Sequence, residues 1–143
     1  MKKTIFLLLL FLSLTSGAMA QTSSNVEIFD VNKGRIMKKI PANEGIQKEA
    51  SSYLKEITAV YNKLSPLPNE GYMIKIPLEP AFRMQNQWLY SVVDEVIVIY
   101  NGHEKPYLMV LDDENSPYFF TFNKDTNTLL KQLKFQPKAF HKK

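Results

Sequence analysis

The chain has 143 residues, with 18 Lys and Arg against 14 Asp and Glu, and no cysteine. Without a thiol there is no cysteine nucleophile, no disulfide framework and no His/Cys zinc site. A formal charge of +4, spread along the chain, gives no nucleic-acid footprint.

The N-terminus reads as an export signal. Met1-Lys2-Lys3 is a short basic start, and Ile5–Leu14 is an apolar run. That run is shorter than the roughly 20 residues a membrane-spanning helix needs. Ala18-Met19-Ala20 supplies the small-x-small pattern of signal peptidase, so cleavage is expected after Ala20 with recognition of Ala18 and Ala20. Removing Lys2 and Lys3 leaves 16 bases against 14 acids, a charge of +2. The expected mature protein is secreted and sits outside the cell or on its surface, or in the periplasm of a Gram-negative host. It has no transmembrane segment after processing. Residues 21–143 fit one domain, with loose N-terminal residues and a basic tail over Phe135–Lys143.

The mature chain opens with Val26–Asp30 as a strand, turn chemistry at Val31–Gly34, and an extended return from Arg35 to Ile40, a hairpin. Asn43 is a fair helix N-cap. From there Ile46, Ala50, Tyr53, Leu54, Ile57, Val60, Tyr61 and Leu64 recur at steps of three and four, which predicts one long amphipathic helix ending before Pro66. Tyr72–Ile76 follows as a strand. Pro77 and Pro80 remove two donors, so the segment between them is expected at an edge or in a loop. Phe82–Leu89 alternates weakly. Ser91–Tyr100 is the strongest strand, with the β-branched run Val96–Ile99. Asn101-Gly102 signals a hairpin. Tyr107–Leu111 and Tyr118–Phe122 are further strands around an acidic turn, and Asn123 or Asp125 caps a short helix to about Leu133. The expected fold class is α+β: an N-terminal hairpin, one long amphipathic helix packed on an antiparallel sheet of about four to six strands, and a short C-terminal helix.

A sheet covered on one face alternates apolar and polar residues. Here Val96 and Val98 oppose Ile97 and Ile99, and Tyr118, Phe120 and Phe122 oppose Phe119. Apolar residues therefore line both faces, and one helix covers only one. The other is expected to meet the chain itself, a second copy in a homodimer, or a partner. Trp88, Ile97, Tyr107, Tyr118 and Phe120 are the expected partner contacts.

Catalytic chemistry is sparse. The two histidines, His103 and His141, stand in a loop and in the tail. No Gly-x-Ser-x-Gly elbow is present. The Asp112-Asp113-Glu114 run could gather charge but lacks the spacing of a calcium loop, and Glu79 between two prolines reads as an edge-protecting charge. No cofactor and no metal are expected.

The segments Gly71–Pro80, Val93–Val98 and Pro106–Asn115 resemble short exported proteins of Bacillus-type Gram-positive bacteria. That resemblance implies export to the extracellular side and supplies no site residues. The expected function is a secreted or cell-surface, non-enzymatic binding protein that meets an unknown protein or envelope component through its sheet face or edge. Two other readings stand beside it. One is a carboxylate hydrolase of envelope material using Asp112, Asp113 or Glu79. The other is a carrier of a small apolar ligand.

Overall fold

A computed structural model describes residues 24–138. The expected cleavage site at Ala18 and Ala20 lies outside the described residues, as does the end of the basic tail. The strands are β1 (Asn25–Asp30), β2 (Arg35–Pro41), β3 (Ile57–Val60), β4 (Tyr72–Gln85), β5 (Tyr90–Tyr100), β6 (Tyr107–Leu111) and β7 (Pro117–Phe122). The helices are α1 (Glu44–Lys55) and α2 (Asn127–Leu133). All pairings are antiparallel, in one seven-stranded sheet of order β2-β1-β4-β5-β6-β7-β3.

This corrects the expected architecture. The described residues are mostly sheet, with seven strands and two short helices, and among them no long helix lies across four to six strands. α1 begins where Asn43 predicts, with the Asn43 Oδ1 accepting from the Ile46 N–H at 2.9 Å. It stops at Lys55. Glu56 turns the chain, its carbonyl accepts from the Asn123 N–H at 2.9 Å, and Ile57–Val60 pairs with β7. The apolar steps at Ile57, Val60 and Tyr61 fit a helix, but Ile-Thr-Ala-Val is also rich in β-branched residues, which are stiff at χ1 and suit a pleated strand. The unpaired edge of β7 decides between them by offering ladder hydrogen bonds. Leu64, expected on the helix's apolar stripe, is fully exposed.

The prolines are also placed differently. Pro77 and Pro80 lie inside β4, the third strand in the sheet order. β1 pairs with β4 only through Tyr72–Lys75. Beyond Lys75 that flank of β4 is locally an edge, and the missing proline donors leave no ladder bond broken. The β4–β5 register shifts between Pro77 and Phe82. At the same level the buried positions of β5 change parity, from Ser91 and Val93 to Val96, Val98 and Tyr100. A β-bulge produces such a change, because one extra residue turns the following side chains to the other face.

Both helices lie on one face. Ile46, Ala50, Tyr53 and Leu54 of α1 and Leu129 and Leu133 of α2 join Val26, Ile28, Ile74, Ile76, Val96, Val98, Leu108, Val110 and Phe120 in one buried cluster. The register sets Ile28, Ile74, Val98, Leu108 and Phe120 side by side across five strands. α1 carries the chain from the β2 edge to the β3 edge. The segment 61–71 then brings it back to β4 at the centre. It ends at Gly71 (φ 99°), where an added Cβ would stand 1.9 Å from the Tyr100 carbonyl oxygen, so only glycine fits this approach.

Two substitutions check the corrected helix boundary. Phe120→Ala, which empties a fully buried site, is expected to lose about 3–5 kcal/mol of unfolding free energy. Leu64→Ala is expected to change it by less than about 0.5 kcal/mol. Urea denaturation measures both, and a large loss at Leu64 contradicts a helix ending at Lys55.

Candidate functional site

The face opposite the helices is built from the other residues of the same strands. Phe29 stands beside Met73, Met73 beside Ile99, and Ile99 beside Tyr107. In the next row Glu27, Lys75, Ile97, Met109 and Phe119 follow one another. Glu27 and Lys75 form an ion pair at 3.3 Å.

Part of this face is roofed. Ile99 and Tyr107 are buried yet lie outside the helix-side core. The Tyr107 hydroxyl donates to the Pro66 carbonyl at 2.6 Å. Its ring stacks on Tyr61, with centroids 3.8 Å apart and planes 3° from parallel. The returning segment 61–71 is therefore the cover over this end of the face.

A polar network pins that cover. Tyr61 donates through its hydroxyl to Glu104, and Glu104 also accepts from the Asn101 side-chain amide at 2.8 Å and pairs with Lys63 at 3.3 Å. His103 contacts Glu70 across the same gap. Burial, helped by the hydrogen bond to Glu104, pushes the Tyr61 phenol well above its ordinary range. Burial likewise raises Tyr107. Neither phenol is a base near neutral pH. Desolvation opposes ionisation of Glu104, but hydrogen bonds from Tyr61, Asn101 and Lys63, with the Lys63 charge, outweigh it and hold the carboxyl below its usual value. The network is a clasp between two loops.

Away from the clasp the face is only half covered. Phe29, Met73, Ile97, Met109 and Phe119 are all partly exposed, and Ile36 on β2, opposite Phe29, extends the apolar surface at 43% exposure. This half-open band is the candidate binding surface.

No family model, curated protein or solved structure matches the chain. The site therefore rests on its own geometry.

Of the five expected contacts, only Ile97 lies on the half-open band. Phe120 is fully buried against the helices and Tyr107 lies beneath the cover. Trp88 and Tyr118 are half-buried on the helix side, packed on Phe120 with ring centroids at 6.1 and 6.4 Å. Phe29, Met73, Met109 and Phe119, which share the band with Ile97, are not among the expected contacts. Their opposition to Val98, Leu108 and Phe120 was readable along each strand, but which parity faces the helices depends on the pairing register.

The carboxylates do not converge on one substrate position. The Asp112 Oδ1 accepts from the Glu114 and Ser116 N–H groups at 2.9 Å each, which closes the turn. Asp113 accepts from the Ser91 hydroxyl at 2.9 Å. Glu79 is exposed at the β4 bulge. Among the described residues no group of three His, Cys, Asp or Glu could hold a metal ion, and no helix is long and apolar enough to cross a membrane. Clefts of about 390 Å³ beside α2 are lined by Leu130, Lys134 and Phe135 in one case and by Lys105, Phe122 and Lys124 in the other. Neither enters the space between sheet and helices that an apolar carrier would use.

Because the folded state holds Glu104 below its unfolded value, the clasp contributes stability above about pH 4.3, and the contribution disappears as pH falls through the folded value. Glu104→Gln is expected to cost about 0.5–1 kcal/mol at neutral pH and to converge with the parent protein in acid. Urea midpoints across pH measure the gap, and a constant gap contradicts the assignment.

Proposed function

We propose that this chain is an exported, non-enzymatic binding protein that engages a partner protein or envelope component through the sheet face around Ile97. The observation that supports this reading is the band of Phe29, Met73, Ile97, Met109 and Phe119, partly exposed on the face away from both helices. Apolar side chains in contiguous rows stabilise a fold only when water is removed from them, at about 25 cal/mol per Å². Both helices lie on the other face, and contiguous apolar patches are where soluble domains meet other molecules. Export rests on the Met1–Ala20 sequence and the resemblance to short secreted proteins.

The band is broad and follows a pleated sheet. It suits a flat apolar surface of a macromolecule better than a small ligand, which needs a concave site. The Glu27–Lys75 pair supplies the polar margin typical of interfaces.

Site-specific photo-crosslinking tests the reading. Benzoylphenylalanine at Met109, introduced in the organism that makes the protein, is expected to give a discrete adduct that disappears in an Ile97→Lys background with unchanged urea midpoint. The same probe at exposed Lys48 on α1 is expected to give none. Equal labelling from both positions, or no adduct at Met109, contradicts the face as the binding surface. A self-adduct makes the partner a second copy.

A further inference from the structure

Two segments far apart in the chain carry bases and no acid. Residues 31–43 hold Lys33, Arg35, Lys38 and Lys39, and residues 126–138 hold Lys131, Lys134 and Lys138. The fold joins them. Lys38, on the edge strand β2, donates through its amine to the Leu133 carbonyl at 3.0 Å and to the Lys134 carbonyl at 3.3 Å. The last turn of α2 is thereby held beside β2. Apart from Lys38, all of these bases are exposed.

Neighbouring acids do not balance them. Asp30 is 7% exposed and accepts from the Lys33 N–H at 3.0 Å. Glu27 pairs with Lys75 at 3.3 Å and Glu44 with Lys48 at 3.0 Å. Asp125 precedes α2, at the end away from Lys134. The Asp94-Glu95 pair and the Asp112-Asp113-Glu114 run lie on or beyond β5, across the sheet from β2. A small net charge therefore divides into a basic edge and an acidic far half.

The basic edge is also apolar. Ile36 and Met37 stand inside the basic run of β2 at 43% and 47% exposure. Ile36 lies opposite Phe29, and Met37 has no partner on β1, where the register shifts. On the helix flank of the same edge, Leu130 and Phe135 line the cleft of about 390 Å³ between Lys131 and Lys134. Lysine on an edge strand repels other strands, which accounts for Lys38 and Lys39. It does not account for the bases on and after α2, nor for two adjacent apolar side chains left in water.

We infer that this edge docks onto an anionic phospholipid surface. The bases attract phosphate headgroups, and the apolar side chains between them enter the interface and leave water. A soluble polyanion uses the bases but leaves Ile36 and Met37 exposed. Ile36 and Lys39 lie on one flank of the edge, and Lys38 and α2 on the other, so the docking surface is the sheet seen edge-on. The inference does not rest on the reading of the half-open face, because the bases lie outside that band.

Sedimentation of mature protein with vesicles tests it, using phosphatidylcholine alone and phosphatidylcholine with a quarter phosphatidylglycerol. Binding is expected only with phosphatidylglycerol and is expected to fall as salt rises. Arg35→Gln, Lys39→Gln, Lys131→Gln and Lys134→Gln are each expected to weaken partitioning about five-fold, with unchanged urea midpoints. Arg83→Gln, near the far end of β4, is expected to leave it unchanged. Ile36→Ser combined with Met37→Ser is expected to weaken it about ten-fold. Equal binding to both vesicles, binding to neither, or equal losses from Arg83→Gln and Lys131→Gln overturns the inference. Vesicle binding that the double serine variant does not alter, matched by equal binding to long-chain polyphosphate, also overturns it and assigns the edge to a soluble polyanion.

Discussion

The pairing of β4 with β5 is the constraint on which the rest of the structure depends. It is the longest ladder in the sheet, running from Tyr72 opposite Tyr100 to Gln85 opposite Tyr90, with one shift at Pro77–Phe82. Side chains alternate along a strand, so this register decides at once which residues meet the helices and which do not. It places Ile74, Ile76, Val96 and Val98 toward α1, and it leaves Met73, Ile97 and Ile99 on the other side. A slip of one residue would exchange the two sets. Both are apolar, so alternation alone would not penalise that exchange. The bulge at the two prolines, the cap at Asn43 and the close approach at Gly71 each oppose it by fixing geometry on either side.

The two crossings of the sheet are unequal, and the candidate function follows from that inequality. α1 is amphipathic and seals its face with Ile46, Ala50, Tyr53 and Leu54. The return segment 61–71 is short and carries two prolines, and its Leu64 and Leu67 point into solvent. It covers Tyr107 and Ile99 and little else. A hydrogen-bonded clasp through Glu104 holds it there in place of apolar packing. The half-open band is the part of the face the return segment does not reach.

Much of this was legible in the sequence. The N-terminal hairpin, the start of α1 at Asn43, strands β5 to β7 and a short last helix all follow from local patterns of turn residues, caps and β-branched runs. The apolar character of both sheet faces was legible as well. Two things were not. Ile57–Tyr61 satisfies helical spacing and strand propensity together, and the choice is made by the distant edge of β7 through hydrogen bonds that no local pattern records. The exposed face was hidden for the same reason. Tyr118 and Phe120 are more aromatic than Met109 and Phe119 are conspicuous, yet pairing with Val110 and Leu108 turns the former inward. Trp88 and Tyr118 stand out in the sequence by aromatic area, and the structure packs both on Phe120 at the helix side of the sheet.

The central claim is that the chain covers one sheet face and leaves the other partly open. Methionines sample both sides: Met84 is 1% exposed on the helix side, Met37 is 47% exposed on the edge strand, and Met73 and Met109 lie in the band. Peroxide oxidation of the isolated mature protein, read by peptide mass spectrometry, separates them directly, because sulfoxide formation follows access to the thioether. The account expects Met37 to oxidise first, Met73 and Met109 at intermediate rates, and Met84 only on unfolding. Met73 and Met109 protected as fully as Met84 would mean that the chain closes this face itself, and the claim would fail.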